Sequence, residues 1–535
     1  MRYLGVNEYS HDTSVALIDG TRLLCIEEER LSGKKHASGF MDPSGDLPVR
    51  ALAMVSETDA NGVVIVLGWD LGLWGMVRNA LAQCRNYKRM DPYDRYSYLR
   101  LASRTVCRYC TRSAALRRLG TPIHRVPHHL AHASSAYRCS EFSKALILVM
   151  DGAGEREWLS VFIGEGNEIR QLAAFGIAGS LGNVYTFATK LVGFGDFSEG
   201  KFMGLAGYGK PGRRRFIRFD TARERFMIDY AAIRRYARGR HRLRSFRQRA
   251  DVAATFQRNI ENALFSCITH YIGKTGIRDV CIAGGIGLNC VLNGRLLQMV
   301  DRLYVPSFTN DAGTSLGAAL QVAAQERNVY RLGLAHAFLG PRPGGTREAL
   351  RSLRGRYVIR RIINDPRPVA RLLAAGKIVG VCRGRLEFGP RALGNRSILA
   401  DPARQRMRAR LNSLKGRESW RPFGCAVLKE HTPGLFGRAF EAPFMNVALQ
   451  TIDTGRLAAA IHADGSVRVQ TIGRENPRLR SLLMEFYRIT GNPALINTSL
   501  NGPNQPLISD ARDAAAFFDH RGLDALVIGD CLVTR

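Results

Sequence analysis

One pattern occurs twice in this chain. The short apolar runs YLGVN (3–7) and SVALI (14–18) flank a polar turn, Glu8–Thr13, and LLCIEEER (23–30) follows. Apolar runs of this length around a polar turn read as a β-hairpin leading into a third strand. About 140 residues later the same order returns. ALILVMDGAGE (145–155) enters a Gly-rich acidic turn, WLSVFIGEG (158–166) leaves it, and IRQLAAFG (169–176) takes the third-strand place. A repeat of this kind confines the N-terminal part to an α/β architecture of two like halves.

Two further segments add to the repeat. VCIAGGIGLNCVLNGRLL (280–297) reads as strand, Gly turn, helix, and in VPSFTNDAGTSLGAALQVA (305–323) a loop with Asp and Gly opens a helix. Glycines at a strand-to-helix turn let backbone N–H groups approach a phosphate. Two hairpins and such a turn, in this order, are the layout of the actin, sugar-kinase and chaperone-ATPase superfamily. Pro and Gly cluster at 340–345, and strands resume in 357–535. A domain boundary is expected there, giving a large bilobal domain over 1–345 and a smaller α/β domain over 357–535.

With 535 residues, 45% hydrophobic and 23% charged, the chain can bury sizeable cores. This excludes a disordered chain, a collagen-like fibre and a small disulfide scaffold. No stretch approaches the roughly 18 uncharged apolar residues of a membrane span. The start, MRYLGVNEYSHD, lacks the apolar core of a secretory signal. The 11 Cys are scattered apart from Cys107 and Cys110. That fits a reduced, cytoplasmic compartment, with the Cys107–Cys110 pair read as a coincidence on a helix face. The net charge of +32 raises the question of nucleic acid or an acidic membrane, and equally of steering nucleotides and acyl phosphates. The most basic tract is 210–249, with Arg213, Arg214, Arg215, Arg234, Arg235, Arg238, Arg240, Arg242, Arg244 and Arg247 against Asp220, Glu224 and Asp229. It reads as a solvated insertion or helical face, or else as a polyanion-binding surface.

Residues 128–132 read HHLAH. His128 and His132, four apart, share one face of a helix, and so could His129 and His132, three apart. An isolated HxxxH is more often structural than ligating. Asp151, at the tip of the second hairpin, and Asp311, in the Thr309–Gly313 loop, change that reading, because both loops point into the cleft of a duplicated fold. Two His and two Asp form a mixed N/O site suited to iron, manganese or zinc. His11, in the first hairpin turn, faces the same cleft and is a candidate general base.

The chain resembles the O-carbamoyltransferases related to nodulation protein U, nebramycin 5′ synthase and the hydroxymethylcephem carbamoyltransferases. The matching stretches are Gly5–Asp12 with SVAL, EEERLSGKKH (27–36), His128–His132 with Asp151-Gly152, and EGKFMGLAGYGK (199–210). EFGPRALGNRSILAD (387–401), KGRESWRPF (415–423), Phe444-Met445, HADGSVRVQ (462–470) and NTSLN (497–501) complete the set, in order. The resemblance implies a mixed α/β chain. Its N-terminal domain would be a duplicated actin-like domain similar to the tRNA threonylcarbamoyl-transferring enzyme. Its C-terminal domain would be similar to threonylcarbamoyl-AMP synthase. It further implies that carbamoyl phosphate and ATP become carbamoyl-adenylate in the C-terminal domain. The carbamoyl group would then pass to an acceptor hydroxyl at an N-terminal iron(II) site, with loss of AMP.

On this resemblance Lys415, Arg421, His462 and Arg468 bind carbamoyl phosphate, a small dianion suited to Arg forks. Lys35, Arg391, Asn497, Thr498 and Ser499 meet the nucleotide. Backbone N–H groups of Gly204, Gly207, Gly284 and Gly285 hold the adenylate, and His11 takes the acceptor's proton. The implied partner is a small-molecule acceptor, such as an antibiotic or other secondary metabolite, with no specific nucleic acid, no membrane and room for a homodimer. The chain departs from the family's common pattern at Gly207, where Pro is usual, at Leu500, where Phe is usual, and at Asn504-Gln505-Pro506, where Gly-Glu-Pro is usual. The rival readings are a tRNA threonylcarbamoyl-type transferase and a non-catalytic actin-like switch. The RESWRPF and HADGSVRVQ stretches disfavour the first, and the retained His11 and His/Asp set disfavours the second.

Overall fold

The computed structural model describes residues 2–8, 11–37, 48–56, 63–69, 73–91, 123–327 and 331–535. Cys107 and Cys110 lie outside them. The chain forms two compact units, one of residues 1–22 and 38–333, the other of 23–37 and 334–535. The boundary therefore falls at 333/334, and the segment 23–37 goes with the second unit although the linear sequence places it in the first. Among the described residues no helix is long and apolar enough to cross a membrane.

In the first unit, β1 (Arg2–Asn7) pairs antiparallel with β2 (Ser14–Asp19) and parallel with β4 (Val63–Leu67), which pairs parallel with β5 (Ile123–Arg125). β3 (Arg22–Glu27) carries the chain into the second unit. The order β2–β1–β4–β5 returns as β7 (Glu157–Glu165), β6 (Lys144–Met150), β11 (Asp279–Ala283) and β12 (Arg302–Tyr304), with β8 (Glu168–Gly176) beyond β7. The pairing senses are the same in both sets, so the repeat in the sequence is a repeat in the fold. A separate hairpin, β9 (Ile217–Asp220) and β10 (Arg225–Ile228), starts the Arg-rich tract.

Two helices hold these sheets at close quarters. The Ala312–Arg327 helix packs on β1, β2 and β4 and on the His128–Tyr137 helix. The approach needs glycine. A Cβ at Gly317 would lie 1.8 Å from the Ala131 carbonyl oxygen, and one at Gly5 would lie 1.8 Å from that of Ser315. The His128–Tyr137 helix presents Ala131, Ala133 and Ala136 as buried residues, which permits the same approach from its side.

The second unit is built on one mixed nine-stranded sheet in the order β13–β21–β20–β14–β15–β19–β16–β18–β17. The strands are β13 (Val358–Arg361), β14 (Val379–Cys382), β15 (Arg396–Ala400), β16 (Gly424–Leu428), β17 (Val447–Gln450), β18 (Ser466–Ile472), β19 (Ala494–Ser499), β20 (Ala525–Ile528) and β21 (Cys531–Thr534). β14, β15, β16 and β20 are buried along their whole length; β14, β16 and β20 are continuous apolar runs, as burial on both faces requires, whereas β15 opens on the buried Arg396 and Ser397. Val369 and Leu373 of one helix and Leu479, Leu482, Leu483 and Phe486 of another pack on the sheet as one core.

Gly317→Val should destabilise the first unit by about 3 kcal/mol, because the added atoms meet backbone rather than a movable side chain. Gly273, inside the Phe246–Thr275 helix, has open space at its Cβ. Gly273→Ala should stabilise by roughly 0.5–1 kcal/mol. Denaturant unfolding of the two variants against the parent checks both signs.

Candidate functional site

The His128–Tyr137 helix begins directly after Pro127, and Glu155 accepts from the His128 backbone N–H at 2.7 Å. This fixes the first turn and aims His128 and His132 to one side. Their Nε2 atoms lie 3.2 Å apart. The end of β6 delivers Asp151, whose Oδ2 is 3.4 Å from His128 Nε2 and 4.0 Å from His132 Nε2. The turn before the Ala312–Arg327 helix delivers Asp311, whose Oδ1 is 3.6 Å from His132 Nε2 and 3.8 Å from His128 Nε2. All four residues are buried, and one ligand atom from each lies within 4.8 Å of every other.

The supporting contacts fix which atoms face inward. His128 Nδ1 lies 3.3 Å from the Gly68 carbonyl oxygen, a placement that puts the proton on Nδ1 and leaves Nε2 for the cluster. Trp69 stacks on the His128 ring at 3.7 Å between centroids. The Gly285 N–H donates to Asp151 Oδ1 at 3.1 Å, so Asp151 turns its other oxygen to the histidines. Gly284 has φ +87°, and a Cβ there would lie 2.2 Å from the Met150 carbonyl oxygen. Thr314 Oγ donates to the Asp311 carbonyl oxygen at 2.7 Å, holding the turn that bears the second carboxylate. His129 points away and meets Ser160 Oγ at 2.8 Å through Nδ1. Of the two pairings that HHLAH leaves open, the structure selects His128 with His132.

Two buried carboxylates demand a cation. Burial opposes charge on His128, but Asp151, Asp311 and Glu155 outweigh it and raise its pKa to about 9. Burial and the neighbouring His128 push His132 down. Burial also opposes ionisation of Asp151, yet the histidines hold its carboxyl well below the usual range. The carboxylates thus favour the imidazolium form of His128. Donors about 2.0–2.2 Å from one tetrahedral ion lie roughly 3.2–3.6 Å apart. The five separations that involve a histidine, 3.2–4.0 Å, together with the 4.8 Å limit on every pair, suit one divalent ion on two imidazoles and two carboxylates with some inward movement.

His11 stands at the edge of this cluster. Its Nε2 is 3.9 Å from Asp311 Oδ2 and its Nδ1 is 3.0 Å from Asp12 Oδ2. Its side chain is 30% exposed, whereas those of the four clustered residues are 10% exposed or less. Burial opposes its charge, but Asp311, Asp12 and Asp151 raise it to about 10. Asp12 has φ +54° and is held by Asn310 Nδ2, which donates to its Oδ2 at 2.8 Å. Phe197 meets the His11 ring edge-on at 5.1 Å.

The second unit gathers charge of the other sign. Lys415, Arg417, Arg421 and Arg468 act on one another electrostatically. Burial first, then Arg417, Arg421 and Lys35, push the Lys415 ammonium well down. Arg417 is lowered by burial, Arg421 and Arg468, and Arg421 by burial and Arg468 against the pull of Glu418. An anion beside basic groups that depress one another would relieve that repulsion. Arg468 sits in β18, paired with Gly424 of β16, and His462 lies in the turn before it, Nδ1 3.3 Å from Asp464 Oδ1. Asn497, in β19, donates to Gln470 Oε1 at 2.7 Å. Arg391 lies in a turn pinned from the 23–37 segment: Gly389 N–H donates to Glu27 Oε1 at 2.8 Å and its carbonyl accepts from Arg30 at 2.8 Å.

Several sequence expectations need correction. Gly204 lies inside the Glu199–Ala206 helix and Gly207 at its end, so GLAGYGK makes a helix end and not an open glycine loop. The Tyr208 and Gly209 N–H groups bond back to Leu205 and Ala206, and the turn offers no phosphate cradle. Gly284 and Gly285 do form the strand-to-helix turn, but the Gly285 N–H serves Asp151. Lys415, read from the sequence as neutralising carbamoyl phosphate, has its ammonium already engaged within the second unit. Its Nζ already meets oxygens of Ser499 and Asn501 at 2.5–3.3 Å, tying down the end of β19 and with it Thr498 and Ser499. Lys35 is exposed in a short 3₁₀ turn, Lys35–Ala37. Trp69, Glu155, Asn310 and Arg417 were not singled out in the sequence. Arg417, inside KGRESWRPF, had a signal; Trp69, at a strand end, had almost none.

Comparison with known proteins decides the family. A family model described as carbamoyltransferase N-terminus matches residues 2–320, and one described as carbamoyltransferase C-terminus matches 370–535. The chain belongs to the carbamoyltransferase family. This carbamoyltransferase is 32% identical to nodulation protein NolNO of Sinorhizobium fredii over 567 residues, spanning 99% of this chain and 80% of that one. It is 36% identical to nodulation protein NolO of Bradyrhizobium diazoefficiens over 430 residues, 76% of this chain and 78% of that one. Among solved structures, full-length HypF in its phosphate- and nucleotide-bound form aligns over 61% of this chain and 56% of that one, with 14% identity and a TM-score of 0.38.

The cluster geometry predicts a bound divalent ion. Adding Mn²⁺, Fe²⁺ or Zn²⁺ to about 100 times its Kd should stabilise the first unit by about 2.7 kcal/mol. A shift of the melting curve that His132→Ala abolishes is the expected result.

Proposed function

We propose that this enzyme is an ATP-dependent O-carbamoyltransferase working through a carbamoyl-adenylate. The observation that carries the reading is the opposed charge of its two sites: mutually repelling basic groups, Lys415 buried and Arg417, Arg421 and Arg468 partly so, in the second unit, buried carboxylates and imidazoles in the first. A carbamoyltransferase that uses carbamoyl phosphate and ATP needs a site of the first kind to gather phosphates. It needs one of the second kind to act on the adenylate.

In the second unit, Arg421 and Arg468 neutralise carbamoyl phosphate, with His462 beside it and Arg417 and Lys415 adding charge. Water cleaves carbamoyl phosphate to carbamate and phosphate. The carbamate oxygen then attacks the α-phosphorus of ATP, forming carbamoyl-AMP and releasing pyrophosphate. Arg391, Lys35 and the Asn497–Ser499 strand end serve the nucleotide.

In the first unit His128, His132, Asp151 and Asp311 would hold a divalent metal, iron(II) on the resemblance, and such an ion would supply Lewis-acid stabilisation of developing negative charge. His11, on the open side, takes the proton of the acceptor hydroxyl once a bound cation offsets the pull of Asp151 and Asp311 that otherwise keeps its imidazole protonated. The hydroxyl oxygen bonds to the carbamoyl carbon as the bond from that carbon to the AMP phosphate oxygen breaks. The acceptor is a small hydroxyl compound.

Separating the half-reactions by mutation tests this. Arg421→Ala and Arg468→Ala should each lower carbamoyl phosphate-dependent pyrophosphate release by about tenfold or more, the loss of roughly 1.4–3 kcal/mol of charge-assisted bonding. His132→Ala should still form carbamoyl-AMP yet yield no carbamoylated product. Loss of pyrophosphate release in His132→Ala, with no effect of the Arg changes, would contradict the assignment.

A further inference from the structure

Two buried amides hold the turn that carries His11. Asn7, at the end of β1, and Asn310, in the turn before the Ala312–Arg327 helix, are both buried. Asn7 Nδ2 donates to the backbone carbonyl oxygens of His11 at 3.4 Å and Asp12 at 3.2 Å. Asn310 Nδ2 donates to Asp12 Oδ2 at 2.8 Å. In both residues Oδ1 is buried without a hydrogen-bond partner. Turning either amide over would not help, because carbonyl and carboxylate oxygens accept and do not donate. An unpaired buried amide oxygen costs about 1–3 kcal/mol, which an apolar side chain of the same shape avoids. The first unit bears that cost twice at one turn, and such groups in a folded protein call for a functional reason.

What the amides hold is a strained backbone. Asp12 has φ +54°, in the left-handed region that Asp enters more readily than most residues. In this shape its Oδ2 lies 3.0 Å from His11 Nδ1, so one oxygen serves the imidazole and Asn310 together. Asn7 fixes the backbone of the turn, and Asn310 fixes the rotation of the carboxylate. With Nδ1 engaged, Nε2 is the ring nitrogen that faces the metal cluster, 3.9 Å from Asp311 Oδ2. The turn that supplies Asn310 also supplies Asp311. It is set against the first hairpin by Ser14, whose Oγ lies 2.8 Å from both the Ala312 carbonyl oxygen and Ser315 Oγ. Neighbouring residues of one turn therefore set a ligand of the cluster and the support of the base.

We propose that Asn310 is a positioning residue of the transfer step: through Asp12 it fixes the His11 ring with Nε2 turned towards the acceptor hydroxyl, on a backbone that Asn7 holds in place. The inference rests on the reading of His11 as the base. A displacement of about 1 Å at a reacting group costs on the order of a hundredfold in rate, which sets the size of the expected effect.

The test uses the whole enzyme with Asn310→Leu, Asp12→Ala, the two combined, and His11→Gln. Carbamoyl-AMP is formed from ATP and carbamoyl phosphate, and AMP release is then followed with water and with glycerol as the hydroxyl probes. Asn310→Leu should form carbamoyl-AMP as the parent does and release AMP about a hundredfold more slowly. Adding it to Asp12→Ala should slow release no further, because the one residue acts through the other. Its melting temperature should not fall, since the unpaired oxygen leaves together with the bond, and Zn²⁺ should raise it as much as in the parent. In Zn²⁺-loaded enzyme labelled with ¹⁵N-histidine, the hydrogen-bonded Nδ1–H signal that His11→Gln removes should also be lost in Asn310→Leu. Asn310→Asp, of the same shape but without the donor, repeats each comparison should the leucine variant fail to fold. Unchanged AMP release, a retained His11 signal or an additive loss in the combined variant overturns the inference. Loss of the Zn²⁺ response overturns it too, by placing Asn310 with the ligand Asp311 instead. If His11→Gln leaves AMP release unchanged, or no carbamoyl-AMP forms, the underlying reading fails and the inference with it.

Discussion

Two carboxylates, Asp151 and Asp311, are buried side by side against two imidazoles, and the first unit is organised around that contact. Without a compensating cation such a pair would not stay ionised away from water. The protein supplies part of the answer through His128, whose charged form the neighbouring carboxylates favour. The four side chains come from a helix start, a strand end and a helix-preceding turn, so the site exists only if these elements approach closely. Gly5, Gly284 and Gly317 permit that approach, each facing a carbonyl oxygen within 2.2 Å of the place a Cβ would occupy.

The second unit solves the converse problem. Lys415 is buried and Arg417, Arg421 and Arg468 are partly so; Arg417 and Arg421 depress the Lys415 ammonium, Arg421 and Arg468 depress Arg417, and part of the repulsion is offset locally. Lys415 is wrapped by oxygens of Ser499 and Asn501, Arg417 lies over the Phe423 ring at 4.0 Å, and Arg421 faces Glu418. The rest awaits an anion. One unit thus gathers basic groups and the other gathers carboxylates and imidazoles, the division of charge on which the proposed two-step carbamoyl transfer rests.

Much of this was legible in the sequence because it depends on local pattern. The repeated hairpins specify the repeated strand order, since strand and turn signals act over a few residues. HHLAH with Asp151 and Asp311 identifies the cluster, because i,i+4 spacing fixes a shared helix face. What sequence could not show depends on tertiary approach. His129 is as plausible a ligand as His128 until Ser160 claims it. Gly204 and Gly207 look like a phosphate loop, but the surrounding Glu199–Ala206 segment is helical and its N–H groups are already bonded. Trp69 becomes part of the site only because β4 ends beside His128, and Phe197 only because its loop adopts a backbone shape that its residue type does not favour.

The most direct measurement of the central claim is acceptor-free. The purified enzyme is incubated with ATP and carbamoyl phosphate, and pyrophosphate and carbamoyl-AMP are followed by mass spectrometry. The account predicts pyrophosphate that appears only with carbamoyl phosphate, together with carbamoyl-AMP. Absence of both, or pyrophosphate that requires threonine and bicarbonate instead, would contradict it.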